Sequence, residues 1–331
     1  MPHTVRAATT DDIPRIVALL LQDAKDRRAA DPILWKMADD AAAQIEQALR
    51  FALTADRQPF RQFWQVFELE GTITGVVHAM LLPVPPIYAG RLGDPGLILP
   101  DSTVAPGAPA GTVESLVAAA EQALTEAGAR ILLSTWVTSA DWRAAFEGRG
   151  YDPLTLYLSR TGIGDAAMPD TVRPATAQDV PGIVARSAEN KRLLFKIDPF
   201  WERHPDADSR FGAWMTRSLT LPDRDMMVIG PPDQVQGYVI AQPAARLHFP
   251  PAHDISGVGV IDDYYHPDFA DLNARDAGAD GATALLRGAE SALAARGVDA
   301  SFVVCPAGWR SKRAMLEAAG YATAMVWSIR R

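Results

Sequence analysis

The chain has 331 residues, of which 48% are hydrophobic and 22% charged, and its formal net charge is −8. This composition is typical of a folded globular protein, and an acidic chain without a basic run argues against nucleic acid or an anionic membrane as a partner. The sequence has no apolar run of about 18 residues and does not begin with a secretory signal pattern, so we expect a cytoplasmic protein.

The cysteine count excludes two kinds of chemistry. Cys305 is the only cysteine, so neither an intrachain disulfide nor a cysteine metal cluster can form. Because free cysteines are usually buried, we expect Cys305 to lie on a strand in the core. We predict no metal site.

The chain repeats itself. TVRAATTDDIPRIVA at residues 4–18 returns as TVRPATAQDVPGIVA at residues 171–185, an offset of 167, and ten of the fifteen positions are identical. AAFEGRGY at 144–151 returns as AMLEAAGY at 314–321, an offset of 170. An offset this constant over so long a stretch predicts a duplicated domain.

The repeat divides the chain into two units. Between them lies TGIGDAAMPD, which has no apolar periodicity and is typical of a linker. We predict an N-terminal domain at 1–160, a linker at 161–170 and a C-terminal domain at 171–331.

Both units predict the same order of elements: β, α, α, β, β, β, α, β, α, β. The first strand is followed by Thr9-x-x-Asp12 in one unit and Thr176-x-x-Asp179 in the other, a spacing typical of a capping box at a helix start. A β-rich hairpin follows two helices, and a long helix rich in Ala and Leu precedes the last strands. This order predicts a mixed α/β sheet in each unit.

The opening pattern VRxATxxDxPxIV, the element order and the closing GY pair together resemble the GNAT superfamily of N-acetyltransferases, twice and over nearly the whole chain. The resemblance implies two tandem GNAT acyl-CoA N-acyltransferase domains. It also implies acetyl-CoA, or another acyl-CoA, as cosubstrate and the amine of a small molecule as acceptor. A monomer or a homodimer is expected, because a duplicated unit can pair internally the sheet edge that a single unit pairs with a second copy.

The resemblance also implies where the coenzyme binds. In the family, its pyrophosphate rests on backbone N–H groups at the start of the long helix, where the helix dipole favours an anion. The second-unit loop is AGADGATALL, residues 277–286. It supplies the candidate cofactor-binding residues Gly278, Asp280, Gly281, Ala282 and Thr283.

The first-unit loop is APAGTVESLV, residues 108–117. Pro109 removes one N–H donor, and Val113 adds a branched side chain where the phosphates would approach. We therefore expect the second unit to be catalytic and the first to be degenerate, although the carboxylate of Asp280 is adverse beside a pyrophosphate.

Candidate proton-transfer groups follow in VIDDYYHP, residues 260–267, at the strand end where the family often keeps an acidic general base. The candidate catalytic residues are Asp262, Asp263, Tyr264 and His266. Because side chains alternate along a strand, Asp262, Tyr264 and His266 are expected on one side, with Asp263 and Tyr265 on the other.

The candidate substrate-binding residues are Asp198, Phe200 and Trp201 in KIDPFWERHP. Aromatic rings beside a carboxylate would suit an amine with an apolar body. The alternative is that these aromatic residues seal the interface between the two units.

Two further hypotheses stay open. The family often places a tyrosine acid four residues before the glycine of the closing pair, where this chain has Phe146 and Leu316, neither of which donates a proton. The protein is then either an enzyme that uses another acid or a catalytically impaired acyl-CoA-binding or scaffold protein. The reverse assignment, with the first unit catalytic, is the other hypothesis.

Overall fold

The structure is a computed structural model that describes residues 3–137, 139–164, 167–274 and 279–331. The strands of the first unit are β1 (His3–Ala7), β2 (Gln62–Leu69), β3 (Thr72–Leu81), β4 (Gly96–Ile98), β5 (Thr103–Val104), β6 (Leu132–Trp136) and β7 (Asp152–Thr161). Its helices are α1 (Ile13–Ala30), α2 (Ala41–Thr54), α3 (Thr112–Glu126) and α4 (Ala140–Gly148).

The second unit repeats this plan. Its strands are β8 (Val172–Pro174), β9 (Asp225–Ile229), β10 (Gly237–Pro243), β11 (Val258–Tyr265), β12 (Ala300–Pro306) and β13 (Ala322–Arg330), and its helices are α5 (Val180–Ile197), α6 (Ala207–Ser218), α7 (Asp280–Ala295) and α8 (Arg310–Ala318). The predicted order of elements is confirmed in both units, with the short β5 as an addition in the first. Cys305 is fully buried on β12 as expected. None of the helices described is long and apolar enough to cross a membrane.

The predicted capping boxes form in both units. The Asp12 carboxylate accepts hydrogen bonds from the Thr9 N–H at 2.7 Å and from Arg6 at 2.7 Å, and Asp179 repeats this arrangement with Arg173 at 2.9 Å. These hydrogen bonds from arginine lower the pKa of each carboxyl to about 2. Each contributes roughly 2 kcal/mol to the free energy of unfolding at neutral pH, which is lost as the pH falls from about 4 towards about 2.

All the strands join one continuous sheet, and the last strand of each unit crosses into the other. The strand order is β1-β2-β3-β4-β6-β13-β7-β12-β11-β10-β9-β8, with β5 paired to β3 outside this path. β13 pairs antiparallel with both β6 and β7, and β7 also pairs antiparallel with β12. The two sequence units therefore do not form two separate sheets.

Loops also reach across the repeat. Met37, after α1, pairs with His253 in the loop between β10 and β11, while Tyr88, between β3 and β4, pairs with Arg203 after α5. Met37 corresponds to Arg203 at a repeat offset of 166, and Tyr88 corresponds to His253 at an offset of 165. The two bridges are therefore equivalent contacts in the repeat. Each unit therefore contributes a loop that contacts the other unit.

Aromatic packing closes the contact between the units. The Trp35 ring, 2% exposed, lies 5.1 Å from the Phe249 ring and 6.3 Å from the Phe302 ring, measured between centroids. Burying one such side chain contributes about 2 to 3 kcal/mol. Trp35 thus packs against aromatic residues of the second unit.

The strand crossing predicts that the two units stay together after the connection between them is cut. A protease site inserted after Gly164, which is exposed, would separate β7 from the second unit in sequence but not from its neighbours β12 and β13. We expect the nicked protein to elute as one species in size-exclusion chromatography and to separate only in denaturant. Two fragments eluting apart in native buffer would contradict the strand order, and the uncut insertion variant is the control for stability.

Candidate functional site

The two adjacent carboxylates of β11 lie at a β-bulge. The pairing between β10 and β11 shifts between Ile240 and Ala241, so Asp262 has no partner on β10 while Asp263 lies opposite Ile240. A bulge re-aims the side chains of the strand that carries the extra residue. The bulge therefore decides which face of the sheet each carboxylate reaches.

Both carboxylates lie on the face that α5 covers. Asn190 of α5 donates a hydrogen bond to Asp263 at 3.3 Å, and Asp262 lines a cavity together with Trp201, which follows α5. The expectation that Asp262 shares a side with Tyr264 and His266 is wrong, because simple alternation assumes a strand without a bulge.

Asp262 carries a charge without an ionic partner. It lines a cavity of about 710 Å³, and its Oδ2 accepts a hydrogen bond from Nε2 of Gln242 at 2.9 Å. No ion pair among the described residues involves this carboxylate. Asp262 keeps contact with solvent, while desolvation by the surrounding protein and the negative charge of Asp263 raise its pKa to about 6, so the group is largely ionised at pH 7.

Asp263 is instead part of a buried polar network. It accepts hydrogen bonds from the Tyr238 hydroxyl and from Asn190, and burial raises the pKa of Asp263. The ammonium of Lys191, 2% exposed, lies nearby, 3.9 Å from the centroid of the Phe211 ring. Of the two carboxylates, Asp262 is the one that reaches the cavity.

Residues from both units form the walls around Asp262, so we name this space the shared cavity. Phe200 and Trp201, both predicted to bind substrate, lie in its wall. Tyr88, Tyr157 and Trp327 line it as well. The cavity is therefore largely apolar, with aromatic rings from both units in its wall.

Asp198, the third predicted substrate residue, serves another purpose. Its Oδ1 accepts a hydrogen bond from the Phe200 N–H at 2.8 Å and forms an ion pair with Arg331. This contact caps the short turn Pro199–Trp201. Asp198 therefore positions the aromatic pair and does not itself line the shared cavity.

Tyr264 and His266 lie on the opposite face, against α7. The Tyr264 hydroxyl is buried and donates to the carbonyl of Ala282. His266 is wedged between Gly237 and Gly281, where an added Cβ would come within 2.6 and 2.4 Å of its ring. Neither side chain reaches Asp262, and Gly281 makes room for an imidazole.

The start of α7 does not fit a pyrophosphate. The Ala282 N–H donates to Oδ2 of Asp268 at 3.0 Å, and Asp280 adds a second carboxylate in the first turn. Negative charge already occupies the end of the helix dipole that would attract a phosphate. Thr283 lines a cleft of about 450 Å³ between α7 and α8, and Gly278 lies outside the described residues.

The gap between β11 and β12 in the second unit is closed. Their pairing ends at Ile261, and beyond it Nζ of the buried Lys312 donates to the carbonyl of Tyr264 at 3.0 Å. Phe269 and Trp309, both fully buried, pack beside it. Three large side chains thus fill the gap between these two strands.

The corresponding gap in the first unit is open, and we name it the first-unit slot. The pairing of β4 with β6 ends at Ile98, and a cavity of about 260 Å³ follows, lined by Ser102, Thr135 and Trp142 among others. At an offset of 170, Trp142 corresponds to Lys312. The two units therefore differ in whether the gap between these strands is open or filled.

Arg27 lines the first-unit slot. This buried arginine forms an ion pair with Asp23 at 2.7 Å and donates to the carbonyl of Pro100. Its Nη1 has no acceptor among the described residues. The second unit has Leu194 at this position, an offset of 167, so only the first unit offers such a donor.

A histidine and an aspartate lie next to the slot. Nδ1 of His78 is 2.8 Å from Oδ1 of Asp101, and the His78 ring stacks on Trp64 with centroids 3.9 Å apart. The His78 N–H donates to the Ser102 hydroxyl at 3.1 Å, which ties the pair to the wall of the slot. Both residues also line a cavity of about 770 Å³, the first-unit cavity.

Neighbouring amides determine where the protons of this pair lie. Gln58 donates its Nε2 to the carbonyl of Ala52 at 2.8 Å, so its Oε1 accepts from Nε2 of Gln62 at 2.9 Å. Oε1 of Gln62 therefore faces Nε2 of His78 at 3.0 Å, and that nitrogen must donate. The Nε2 proton of His78 is therefore directed at Gln62, and Nδ1 faces the Asp101 carboxylate.

The start of α3 also differs from that of α7. Gly111, with φ of 84°, turns the chain into the helix in the left-handed region that glycine tolerates. Within the part of the chain that the structure describes, no acceptor bonds the N–H groups of Val113 and Glu114. These donors remain available to an anion.

Comparison with solved structures identifies the fold. A GCN5-related N-acetyltransferase from Sphaerobacter thermophilus is 16% identical, with a TM-score of 0.55 over 99% of this chain and 95% of that chain. A tandem GNAT protein from the clavulanic acid biosynthesis pathway is 13% identical, with a TM-score of 0.51 over 99% and 97%. The chain therefore has the tandem GNAT fold. No protein-family model and no curated protein matches it.

Sequence reasoning missed His78 and Arg27. Nothing in GVVHAML indicates that its histidine meets an aspartate 23 residues later, because the contact requires β3 beside β4. Arg27 belongs to the predicted first helix, but its burial is visible only in three dimensions. Phe146 and Leu316, at the usual tyrosine positions, are buried in the core.

The bulge predicts a measurable coupling between its two carboxylates. Replacing Asp263 by Asn removes a negative charge that raises the pKa of Asp262, so that pKa should fall from about 6 by roughly one unit. Carboxyl ¹³C shifts followed over a pH titration would measure it, with Asp262→Asn assigning the signal. The exposed Asp233→Asn is the control, and an unchanged pKa in Asp263→Asn would show that the charges are not coupled.

Proposed function

We propose that the protein is an acyl-CoA-dependent N-acyltransferase that acetylates the amine of a small molecule, with its reaction centre in the first unit. The observation that carries this proposal is the first-unit slot, which opens beside Arg27 and the His78–Asp101 pair. The loop sequences favoured the second unit, but there the slot is closed and the helix start carries two carboxylates.

Residues of the first unit would hold the acyl-CoA. The N–H groups of Val113 and Glu114 offer hydrogen bonds to a pyrophosphate at the start of α3, and the slot offers a passage for the arm. When bound, acyl-CoA supplies the thioester whose acyl carbon the amine attacks. Nη1 of Arg27 is a donor for the oxygen that gains negative charge during this attack.

The His78–Asp101 pair would handle protons. The pair can take up the proton that the attacking amine loses and return it to the thiolate that leaves as CoA. This assignment supplies the acid that Phe146 cannot be.

The first-unit cavity would hold the amine. Its walls include the aromatic side chains of Phe51, Phe60 and Trp64, and Arg246 of the second unit closes one side. Nη1 and Nη2 of Arg246 donate to the carbonyl of His253 and to the Gln44 side chain, so its charge is largely engaged. Such a space suits a small amine with an apolar body.

A matched pair of variants tests which unit binds the coenzyme. Glu114 and Asp280 are exposed carboxylates in the first turns of the equivalent helices α3 and α7. Glu114→Gln removes a charge that repels a pyrophosphate, so acetyl-CoA should bind about fivefold more tightly. Asp280→Asn should leave the affinity unchanged, with both measured by isothermal titration.

Tighter binding of acetyl-CoA in Asp280→Asn, with unchanged affinity in Glu114→Gln, would place the coenzyme in the second unit. No binding of acetyl-CoA near millimolar concentration would contradict the proposed activity altogether. That result would favour the alternative that the chain is a GNAT-derived scaffold protein.

Turnover tests the proton pair. His78→Asn should lower kcat by about 100-fold or more while the affinity for acetyl-CoA stays the same, because the pair acts on protons and not on the coenzyme. Release of free CoA over a panel of primary amines can be followed with a thiol reagent, since the only cysteine, Cys305, is buried. Loss of turnover in Asp262→Asn, with His78→Asn fully active, would instead place the reaction centre in the shared cavity.

A further inference from the structure

We propose that the shared cavity beside Asp262 is a second ligand site, separate from the reaction centre, which binds an organic ammonium ion with an aromatic or apolar body. The site goes beyond the proposed activity, because the cavity lacks an open slot for a coenzyme arm. It is built by both units, so it exists only in the complete chain.

The charges in the cavity wall point to a cation. Nε of Arg91 pairs with Oε2 of Glu202 at 2.6 Å, and Arg331 pairs with Asp198. Asp262 is the charged group of the described lining residues that has no opposite charge beside it. A carboxylate at the edge of an apolar cavity favours a ligand that brings the missing positive charge.

The other titratable groups in the wall are neutral at pH 7. Burial, with the charge of Asp262 adding to it, raises the pKa values of Tyr88 and Tyr157 above their usual range. Burial lowers the pKa of His248 to about 4, and Nε2 of this histidine lies 3.1 Å from the Tyr157 hydroxyl. No second cation of the wall therefore competes with a ligand for Asp262.

The walls suit the body of such a ligand. The rings of Phe200, Trp201 and Trp327 lie in the lining with the two tyrosines, and aromatic faces attract ammonium groups. A volume of about 710 Å³ lies within the range of sites for small molecules. An anion would bind weakly in this cavity, because the Asp262 carboxylate repels it.

The ligand is not acylated at this site. Lys312 closes the gap between β11 and β12 from the other face of the sheet. Leu247 lies in the walls of both the shared cavity and the first-unit cavity, so the two spaces are neighbours with separate polar groups.

Two probes of equal shape test the proposal. 2-Phenylethylamine is an ammonium ion at pH 8, and 2-phenylethanol is its neutral counterpart. Isothermal titration of the full chain should show the amine binding at least tenfold more tightly than the alcohol. In the Asp262→Asn variant, the amine should bind no more tightly than the alcohol, while the affinity for the alcohol is retained. The Asp262→Ser variant should give the same result.

A variant of the other cavity tests where the ammonium probe binds. Asp101→Asn changes the carboxylate of the first-unit cavity, so it should leave the preference for the ammonium probe intact. The proposal is overturned if Asp101→Asn removes the preference, if folded Asp262→Asn keeps it, or if the amine shows no binding up to 10 mM. It is also overturned if the probe is acylated in a reaction that Asp262→Asn abolishes, since the cavity would then be a reaction centre.

Discussion

Strands β7 and β13 pair antiparallel at the middle of the sheet, and the rest of the architecture depends on this pairing. Because each is the last strand of its unit, the pairing fuses two sequence repeats into one sheet and leaves neither with an open inner edge. It also fixes the distance between the units. The loops that cross the repeat, with Tyr88 beside Arg203 and Met37 beside His253, can meet only in this arrangement.

Within this common frame, the two units differ in the polar groups near the gap between their central strands. Both keep the arginine–aspartate cap at the start of the first helix, which contributes to folding and not to chemistry. They differ where the pairing of β4 with β6 ends in the first unit and that of β11 with β12 ends in the second. Trp142 leaves a slot in the first unit, whereas Lys312 fills it in the second, and Arg27 is replaced by Leu194. Duplication thus preserved the scaffold while the polar groups near the slot changed.

The two cavities differ in how their carboxylates are compensated. Asp101 lies against the imidazole of His78, a group that can take up and release a proton. Asp262 has only a neutral amide beside it and keeps an uncompensated charge at pH 7. Beside an apolar cavity, the first arrangement suits a reaction that moves a proton, and the second suits a ligand that brings a positive charge.

The sequence by itself determined the duplication, the element order and the caps, because hydrophobic periodicity and capping residues act over a few neighbouring positions. It also marked Asp262, Phe200 and Trp201, which the fold brings together. Only the tertiary structure decided that the final strands cross, that a bulge turns Asp262 towards α5, and that His78 meets Asp101. These contacts join residues far apart in the chain, and their geometry depends on strand register and packing that no local pattern encodes.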